Sequence, residues 1–190
     1  LATSGALTAW VRELTGQDFT ELLKLAEQSP TGADGLLMLP YFAGERTPIL
    51  DPDARGVIAG LTLDHGRGDL YRAALEATAF GVRHNVETMK EAGADIERIV
   101  AVGGGTQGQL WLQIVSDVTG LVQEVPRTTV GASYGAAFLA AVAVSEPGEA
   151  PHLETWNAVE MTIVPDPKKT AIYDGLYALY RELYESTTAL

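Results

Sequence analysis

Apolar positions along the chain alternate between helical and strand spacing. In the first segment Leu7, Trp10, Val11 and Leu14 recur at steps of three and four, which predicts a helix that Gly16 ends. The same spacing predicts further helices over about residues 19–28, 69–92, 107–119, 136–144 and 167–184. Short apolar or β-branched runs predict strands at 35–42, 56–63, 98–102 and 121–125. Because strands and helices follow one another in turn, we expect a layered α/β fold.

Some of these elements carry more specific expectations. Asp18 and Asp166 are expected N-caps, and Pro167 suits the first position of the last helix. The strand over 98–102 has no polar alternation, so we expect it to be buried on both faces. The helix over 136–144 consists mainly of small residues and can approach a sheet closely. One face of the last helix carries Tyr173, Leu176, Tyr177, Tyr180, Leu183 and Tyr184.

Three consecutive glycines, Gly103-Gly104-Gly105, stand between the strand 98–102 and the next helix. Glycine lets a ligand come close to the backbone, and the following helix offers free N–H groups to a phosphate. The same pattern is typical of a tight turn that merely needs small residues, so both interpretations stay open. Thr106 and Gln107 follow, which excludes the dinucleotide fingerprint, and no Gly-Lys-Ser/Thr follows, which excludes a Walker A loop.

Other polar or glycine-rich segments favour structural roles. Residues 131–135 form a second glycine-rich turn, for which close helix–sheet packing is favoured over ligand contact. The segment 45–48 (ERTP) is typical of a loop held by a local ion pair. Asp51 and Asp53 are more typical of a solvated turn than of a metal site. His84 lies on a predicted helix and is expected to be structural, and we find no pattern for a zinc site or a Ser-His-Asp triad.

The composition narrows the function classes. The 190 residues suffice for a single domain and carry a formal net charge of −12. This chain lacks the basic footprint that nucleic acid and anionic membranes require, so neither is expected as a partner. The absence of cysteine excludes disulfides and thiolate metal sites and is consistent with a cytoplasmic location. If ATP binds, backbone amides must supply much of the attraction, because basic side chains are few.

A series of short motifs runs through the chain. It comprises Gly44-Glu45-Arg46-Thr47-Pro48, Asp51 with Arg55-Gly56, Gly60-Leu61, Arg72-Ala73 with Leu75-Glu76, Gly103-Gly104-Gly105 with Trp111, Gln113 and Asp117, and finally Gly131-Ala132, Gly135-Ala136-Ala137 and Leu139-Ala140. In this order and spacing, from about residue 1 to 185, the series resembles the C-terminal domain of the FGGY family of carbohydrate kinases, most closely its xylulokinase-like branch. One such motif is weak, whereas the ordered series is specific.

The resemblance implies an actin-like ATPase lobe of the ribonuclease H-like type, with a mixed sheet flanked by helices. In a complete member of that family, two such lobes face each other across a cleft. The N-terminal lobe holds most of the sugar site and the aspartate that acts as general base, and the C-terminal lobe holds most of the ATP, with Mg²⁺ at the phosphates. Residues 1–190 are therefore expected to be a single C-terminal nucleotide-binding lobe without the N-terminal lobe, and without a catalytic or metal-binding residue of their own.

The resemblance also assigns individual residues. Gly5 matches a family position whose backbone meets the nucleotide phosphates. Gly104 and Gly105 match strand-end glycines that pack against the nucleoside, and Gln109 falls where relatives often place a side chain that contacts adenine. The family often has Ser or Asn near Gly108, and this sequence has neither, so the adenine contacts depart from the family pattern.

The implied reaction is in-line transfer of the ATP γ-phosphate to a sugar hydroxyl, with D-xylulose as the substrate of the branch. Asp117 is expected to order its helix or the adjoining loop, and Glu45 and Arg46 to shape the cleft between lobes. This chain alone is expected to bind ATP or ADP without phosphorylating sugar. Glycerol, gluconate and other pentuloses stay open as substrates, and so does formation of a homodimer.

Two other classes stay open from the sequence. One is a different actin-like ATPase, such as a chaperone or an activator ATPase, although the loop 44–48 with Arg55-Gly56 disfavours it. The other is a non-catalytic assembly module, whose partner site would be the interlobe surface or the aromatic face of the last helix.

Overall fold

The computed structural model describes residues 3–146 and 148–189. Its helices are α1 (Ser4–Thr15), α2 (Phe19–Gln28), α3 (Arg67–Glu91), α4 (Gln109–Thr119), α5 (Ala132–Val144), α6 (Leu153–Trp156) and α7 (Pro167–Thr187). Its strands are β1 (Leu37–Leu39), β2 (Val57–Ala59), β3 (Arg98–Val100), β4 (Val122–Pro126) and β5 (Val159–Ile163). Within the described residues, no helix is both long enough and apolar enough to cross a membrane.

The strands form two sheets, one of which is mixed. In the mixed sheet the order is β3-β4-β5, with β3 parallel to β4 and β5 antiparallel to β4. Arg98 lies opposite Val122 in the parallel pair, and Gln123 lies opposite Ile163 in the antiparallel pair. The separate pair β1-β2 is antiparallel. With helices packed around these sheets, the predicted α/β fold with a mixed sheet is confirmed.

The predicted helix ends are confirmed where local capping decides them. The Asp18 carboxylate accepts a 2.9 Å hydrogen bond from the backbone N–H of Glu21, and that of Asp166 accepts one of 2.9 Å from Lys168. Gly16 ends α1 in the left-handed region at φ 66°, where a side chain would be strained. These contacts span at most four residues, which is why the sequence pattern predicts them.

The core is built around the 25-residue helix α3, against which α1, α2 and α4 pack. The aromatic face of α7 closes the core: Tyr173 and Tyr180 are fully buried and contact Phe80 of α3. The Tyr41 hydroxyl lies 2.6 Å from that of Tyr180, which joins β1 and its following loop to α7. Tyr173, Tyr177 and Tyr180 of this face are therefore core residues, whereas Leu176, Leu183 and Tyr184 are partly buried.

Two expectations about packing are wrong. β3 is not buried on both faces, because Arg98 and Val100 share an exposed face of the strand, and Val100 is 52% exposed. The small-residue helix α5 does not pack closely on the sheet, since none of its residues is buried. Its aromatic residues Tyr134 and Phe138 contact Trp156 instead. Both corrections concern which neighbours cover an element, which apolar spacing does not specify.

Candidate functional site

An open pocket of about 900 Å³ lies where helices α1, α2 and α3 meet the end of β3 and the start of α4. It contains most of the glycine turn, by which we mean residues 103–108. The lining residues are Ser4, Gly5, Thr8, Phe19, Thr20, Leu23, Tyr71, Leu75, Thr78, Val82, residues 99–102, residues 104–108, Trp111, Leu112, Val115 and Gln123. The pocket thus combines a backbone-rich wall with apolar side chains.

The glycine turn leaves β3 through backbone angles that suit glycine. Gly103 has φ 86°, and its N–H donates a 2.7 Å hydrogen bond to the carbonyl of Thr129. A single 3₁₀ turn follows over Gly104–Gln107, and the Thr106 hydroxyl ties it by donating to the Gly103 carbonyl at 2.8 Å. Because no described atom lies within 4 Å of a Cβ built at Gly104, this backbone is open to a ligand.

Two helix N-termini reach the pocket. α1 begins at Ser4 and α4 begins at Gln109, and neither has a side-chain cap for its first-turn N–H groups. The hydroxyl of Thr3, the N-cap of α1, bonds to the carbonyl of Pro40 instead. Uncapped first turns present free donors and the positive end of the helix dipole, which suits an anion such as phosphate.

None of the described residues that line the pocket carries a charge. The chain as a whole has a formal net charge of −12, so a pocket without carboxylates is a local exception to its acidity. An anion in this pocket therefore meets no direct repulsion from a lining side chain, and its attraction must come from backbone N–H groups and from neutral donors such as the hydroxyls of Ser4 and Thr20.

The apolar end of the pocket lies between α2 and the glycine turn. Leu23 of α2 comes within 3.7 Å of a Cβ built at Gly108, so the two segments approach closely. Phe19 lines this end and is 39% exposed, with the Arg12 guanidinium 5.0 Å from its ring centre. An exposed aromatic ring with apolar side chains beside it suits contact with a flat ring system.

The structure brings three of the four site residues predicted from the sequence together in this pocket. Gly5, Gly104 and Gly105 line the same pocket, although Gly5 is far from the other two in sequence. Gln109 is exposed at the start of α4 and is not among the lining residues, whereas Gly108 is. Sequence reasoning missed Ser4, Thr8, Phe19, Leu23 and Trp111, because local patterns carry no signal for the approach of α1 and α2 to the glycine turn.

Asp117 has the structural role that the sequence predicts. It is 1% exposed, and its Oδ1 accepts hydrogen bonds from the side chain of Gln113 at 2.7 Å and from the backbone N–H of Asp166 at 2.8 Å. Lys169 lies 3.8 Å from its other oxygen. Asp117 therefore holds the end of α4 to the start of α7.

The loop that contains Glu45 lies outside the lining of the pocket. The buried Glu45 carboxylate accepts hydrogen bonds from the backbone N–H groups of Arg46 at 2.8 Å and Thr47 at 3.3 Å. Asp51 accepts from the backbone N–H of Asp53 and from the hydroxyl of Tyr184. In the described part of the chain, no three His, Asp or Glu residues are grouped so as to hold a metal ion.

Several known proteins are similar to this chain in sequence. A sequence profile described as "FGGY family of carbohydrate kinases, C-terminal domain" matches residues 1–144. Xylulose kinase of Staphylococcus xylosus is 32% identical over 186 residues, and ribulokinase of Mycolicibacterium smegmatis is 37% identical over 166 residues. These matches cover 96% and 86% of this chain, but only 38% and 30% of the two relatives.

A solved structure agrees with these relatives. The crystal structure of xylulose kinase from Rhodospirillum rubrum superposes with a TM-score of 0.83 at 34% sequence identity, over 96% of this chain and 38% of that one. The chain thus spans less than two fifths of the length of the relatives compared here. By the profile that matches most of its length, this chain belongs to the FGGY family of carbohydrate kinases and corresponds to their C-terminal domain.

Proposed function

We propose that this chain is the nucleotide-binding lobe of an ATP-dependent sugar kinase. One observation carries the proposal: the glycine turn and two uncapped helix N-termini face a single pocket whose lining has no charged side chain. Backbone N–H groups are the donors that an acidic chain with few basic residues can offer to phosphates. Family membership supplies the reaction class.

In this proposal the phosphates lie at the start of α1, where the N–H groups near Gly5 donate to phosphate oxygens and the dipole of α1 favours the negative charge. Gly104 and Gly105 of the glycine turn pack against the nucleoside. The base lies at the apolar end of the pocket, beside Phe19, Leu23 and Gly108. Gln109 at the rim reaches toward the edge of the base.

The described residues do not fit a side-chain site for Mg²⁺, because the pocket lining contains no carboxylate or histidine. When Mg²⁺ accompanies the nucleotide it neutralises charge on the phosphates. The lining contains no aspartate that could accept the proton of a sugar hydroxyl either. We therefore assign this lobe to binding and orienting the nucleotide, and the proton transfer and most of the sugar site to an N-terminal lobe.

We propose D-xylulose as the sugar, because two relatives that align with 96% of this chain, from Staphylococcus xylosus and Rhodospirillum rubrum, are named xylulose kinases. A ribulokinase is also among the relatives at 37% identity, so ribulose is the alternative. A panel of pentuloses, glycerol and gluconate with ATP and Mg²⁺ tests this choice in the kinase formed with an N-terminal lobe. Preference for any sugar other than D-xylulose contradicts the choice of sugar and leaves the kinase assignment intact.

Titration calorimetry with ADP tests the nucleotide site. Gly104→Val adds a side chain where no described atom lies within 4 Å, so the variant is expected to fold while obstructing the pocket. We expect ADP affinity to fall at least tenfold. Gly66→Val is the matched control, because Gly66 also has room for a Cβ and lies outside the pocket lining. Equal ADP affinity in both variants contradicts the proposed site.

An activity assay tests the division of labour between lobes. Purified chain mixed with ATP, Mg²⁺ and D-xylulose is expected to form no sugar phosphate, although it binds ADP. Addition of an N-terminal lobe from a related xylulose kinase, fused or in trans, is the positive arm. Clear turnover by this chain alone contradicts the assignment of the general base and the sugar site to another lobe.

Two further expectations from the sequence stay predictions. We place the kinase in the cytoplasm, where ATP is available and a chain without cysteine needs no oxidising compartment. Pairing of two copies is tested by sedimentation, in which a mass independent of concentration and equal to one copy contradicts a homodimer.

A further inference from the structure

Trp111 joins the glycine turn to the central helix α3. The six-membered ring of its indole lies against Gly105, since a Cβ built at Gly105 would be 3.2 Å from Cζ3 and 3.4 Å from Cε3. At the other edge of the same side chain, Nε1 donates a 2.9 Å hydrogen bond to the hydroxyl oxygen of Thr78. One rigid side chain therefore spans the gap between the turn and α3.

The hydrogen bond between Trp111 and Thr78 has a defined direction. The Thr78 hydroxyl donates its single hydrogen to the carbonyl of Leu75 at 2.7 Å, so its oxygen is left to accept from the indole N–H. Thr78 is 1% exposed, so its hydroxyl is held in a fixed position at the wall of the pocket. The indole N–H has one partner in a position that the backbone of α3 fixes.

The glycine turn has few other restraints of its own. Gly104 and Gly105 have no side chains, and no described atom lies within 4 Å of a Cβ at Gly103 or Gly104. The Gly103 N–H ties the turn to Thr129 in the segment after β4, and the Thr106 hydroxyl ties the turn to itself. The indole of Trp111 is the surface against which the backbone at Gly105 rests.

We propose that Trp111 is a positioning residue. Its hydrogen bond to Thr78 fixes how far the glycine turn projects into the pocket. This proposal rests on the proposed nucleotide site and adds to it the residue pair that holds the turn ready for the nucleoside. The physical basis is that a binding surface holds its ligand best when its position is fixed before binding.

The test compares two threonines of α3. Thr78→Val keeps the side-chain volume and removes the acceptor, and Thr78→Ser restores a hydroxyl. Thr88→Val is the matched control, because Thr88 bonds to the His84 carbonyl one turn earlier in the same helix and lies outside the pocket lining. Each protein is measured by titration with ADP and by hydrogen exchange of the backbone amides of residues 103–108 without nucleotide.

We expect Thr78→Val to weaken ADP binding about tenfold, as expected for the loss of one partly buried hydrogen bond. The hydrogen-exchange rate of the glycine-turn amides should rise by a similar factor. Thr78→Ser should show ADP affinity and exchange near those of the wild type. Thr88→Val should match the wild type in both measurements. Trp111→Phe, which lacks the N–H and also shortens the ring that contacts Gly105, serves as the second variant if Thr78→Val does not fold. It is expected to repeat both effects.

Two outcomes overturn the proposal. One is unchanged exchange of the glycine turn in folded Thr78→Val or Trp111→Phe. The other is an equal rise in Thr88→Val, which would show a general loosening of α3. Failure of the wild-type protein to bind ADP would contradict the proposed function instead, and the exchange measurement without nucleotide would still decide whether Trp111 positions the turn.

Discussion

The hydroxyl of Tyr173 donates a 2.8 Å hydrogen bond to Oε1 of Glu76 and joins α7 to α3 inside the core. The same oxygen accepts from Nε of Arg72 at 2.8 Å and from the backbone N–H of Gly32 at 3.0 Å. Arg72 in turn donates to the carbonyls of Ala26 and Ser29, at the end of α2. One buried carboxylate thus connects three helices and the loop after α2.

Removal of this carboxylate is expected to be costly. Glu76→Ala leaves the 5% exposed Arg72 without its charge partner, so the free energy of unfolding should fall by about 3–5 kcal/mol. Tyr173→Phe should cost about 1.5–3 kcal/mol, because it removes two hydrogen bonds with charged groups, one donated to Glu76 and one accepted from Arg72. Tyr184→Phe is the control, since its hydroxyl bonds to Asp51 at the partly exposed edge of α7. Denaturant titration that shows equal costs for the two tyrosines would refute this ranking.

His84 predicts a dependence of stability on pH. Burial, and to a lesser extent the nearby charge of Arg181, lowers the pKa of His84 from its ordinary value of 6.5 to about 4. The unfolded chain therefore binds a proton at higher pH than the folded protein does. Stability should be fully present above pH 6.5 and should fall by about 2–3 kcal/mol as the pH drops from 6.5 to 4.

Replacement of the histidine checks this origin. His84→Gln should flatten the fall in stability between pH 6.5 and 4, as followed by denaturant titration at each pH. His65→Gln is the control, because His65 lies in a surface loop where its ring bonds to Thr62 and to the Asp34 carbonyl. A fall of unchanged steepness in His84→Gln would assign the effect to other groups.

Alanine substitutions of two helical glycines should distinguish effects on ADP affinity from effects on the free energy of unfolding. Gly5 in α1 and Gly175 in α7 both have room for a Cβ, so alanine at either site should raise the free energy of unfolding by about 0.5–1 kcal/mol. Gly5 lines the pocket and Gly175 does not. Only Gly5→Ala should therefore weaken ADP binding, measured by calorimetry. Equal affinities would remove the start of α1 from the phosphate site.

Asp117 should contribute to stability and not to nucleotide affinity. Asp117→Ala removes the acceptor shared by Gln113 and the backbone of Asp166, and we expect a loss of about 2–3 kcal/mol by denaturant titration. ADP affinity of the folded variant should stay within twofold of the wild type. A large loss of affinity with little loss of stability would assign Asp117 to the ligand site.

Much of the candidate site was accessible to sequence reasoning, but only as separate pieces. Gly104 and Gly105 stand out because a strand ends in glycines before a helix, and that signal is local. Gly5 was assigned by resemblance alone, since a single glycine at a helix start has no distinctive pattern. Phe19, Leu23 and Trp111 were missed as pocket residues, because their helical spacing is equally typical of an ordinary apolar face.

The sequence by itself determined the elements whose boundaries depend on neighbours within one helical turn. Asp18, Asp166 and Gly16 start or end their helices through contacts of that range, and apolar spacing gave α3 and α7 their buried faces. Only the tertiary structure decided that β3 is exposed at a sheet edge. It also brought Gly5, Phe19 and the glycine turn to one pocket. These outcomes depend on which distant segments pack together, and a residue's own spacing carries no information about its distant neighbours.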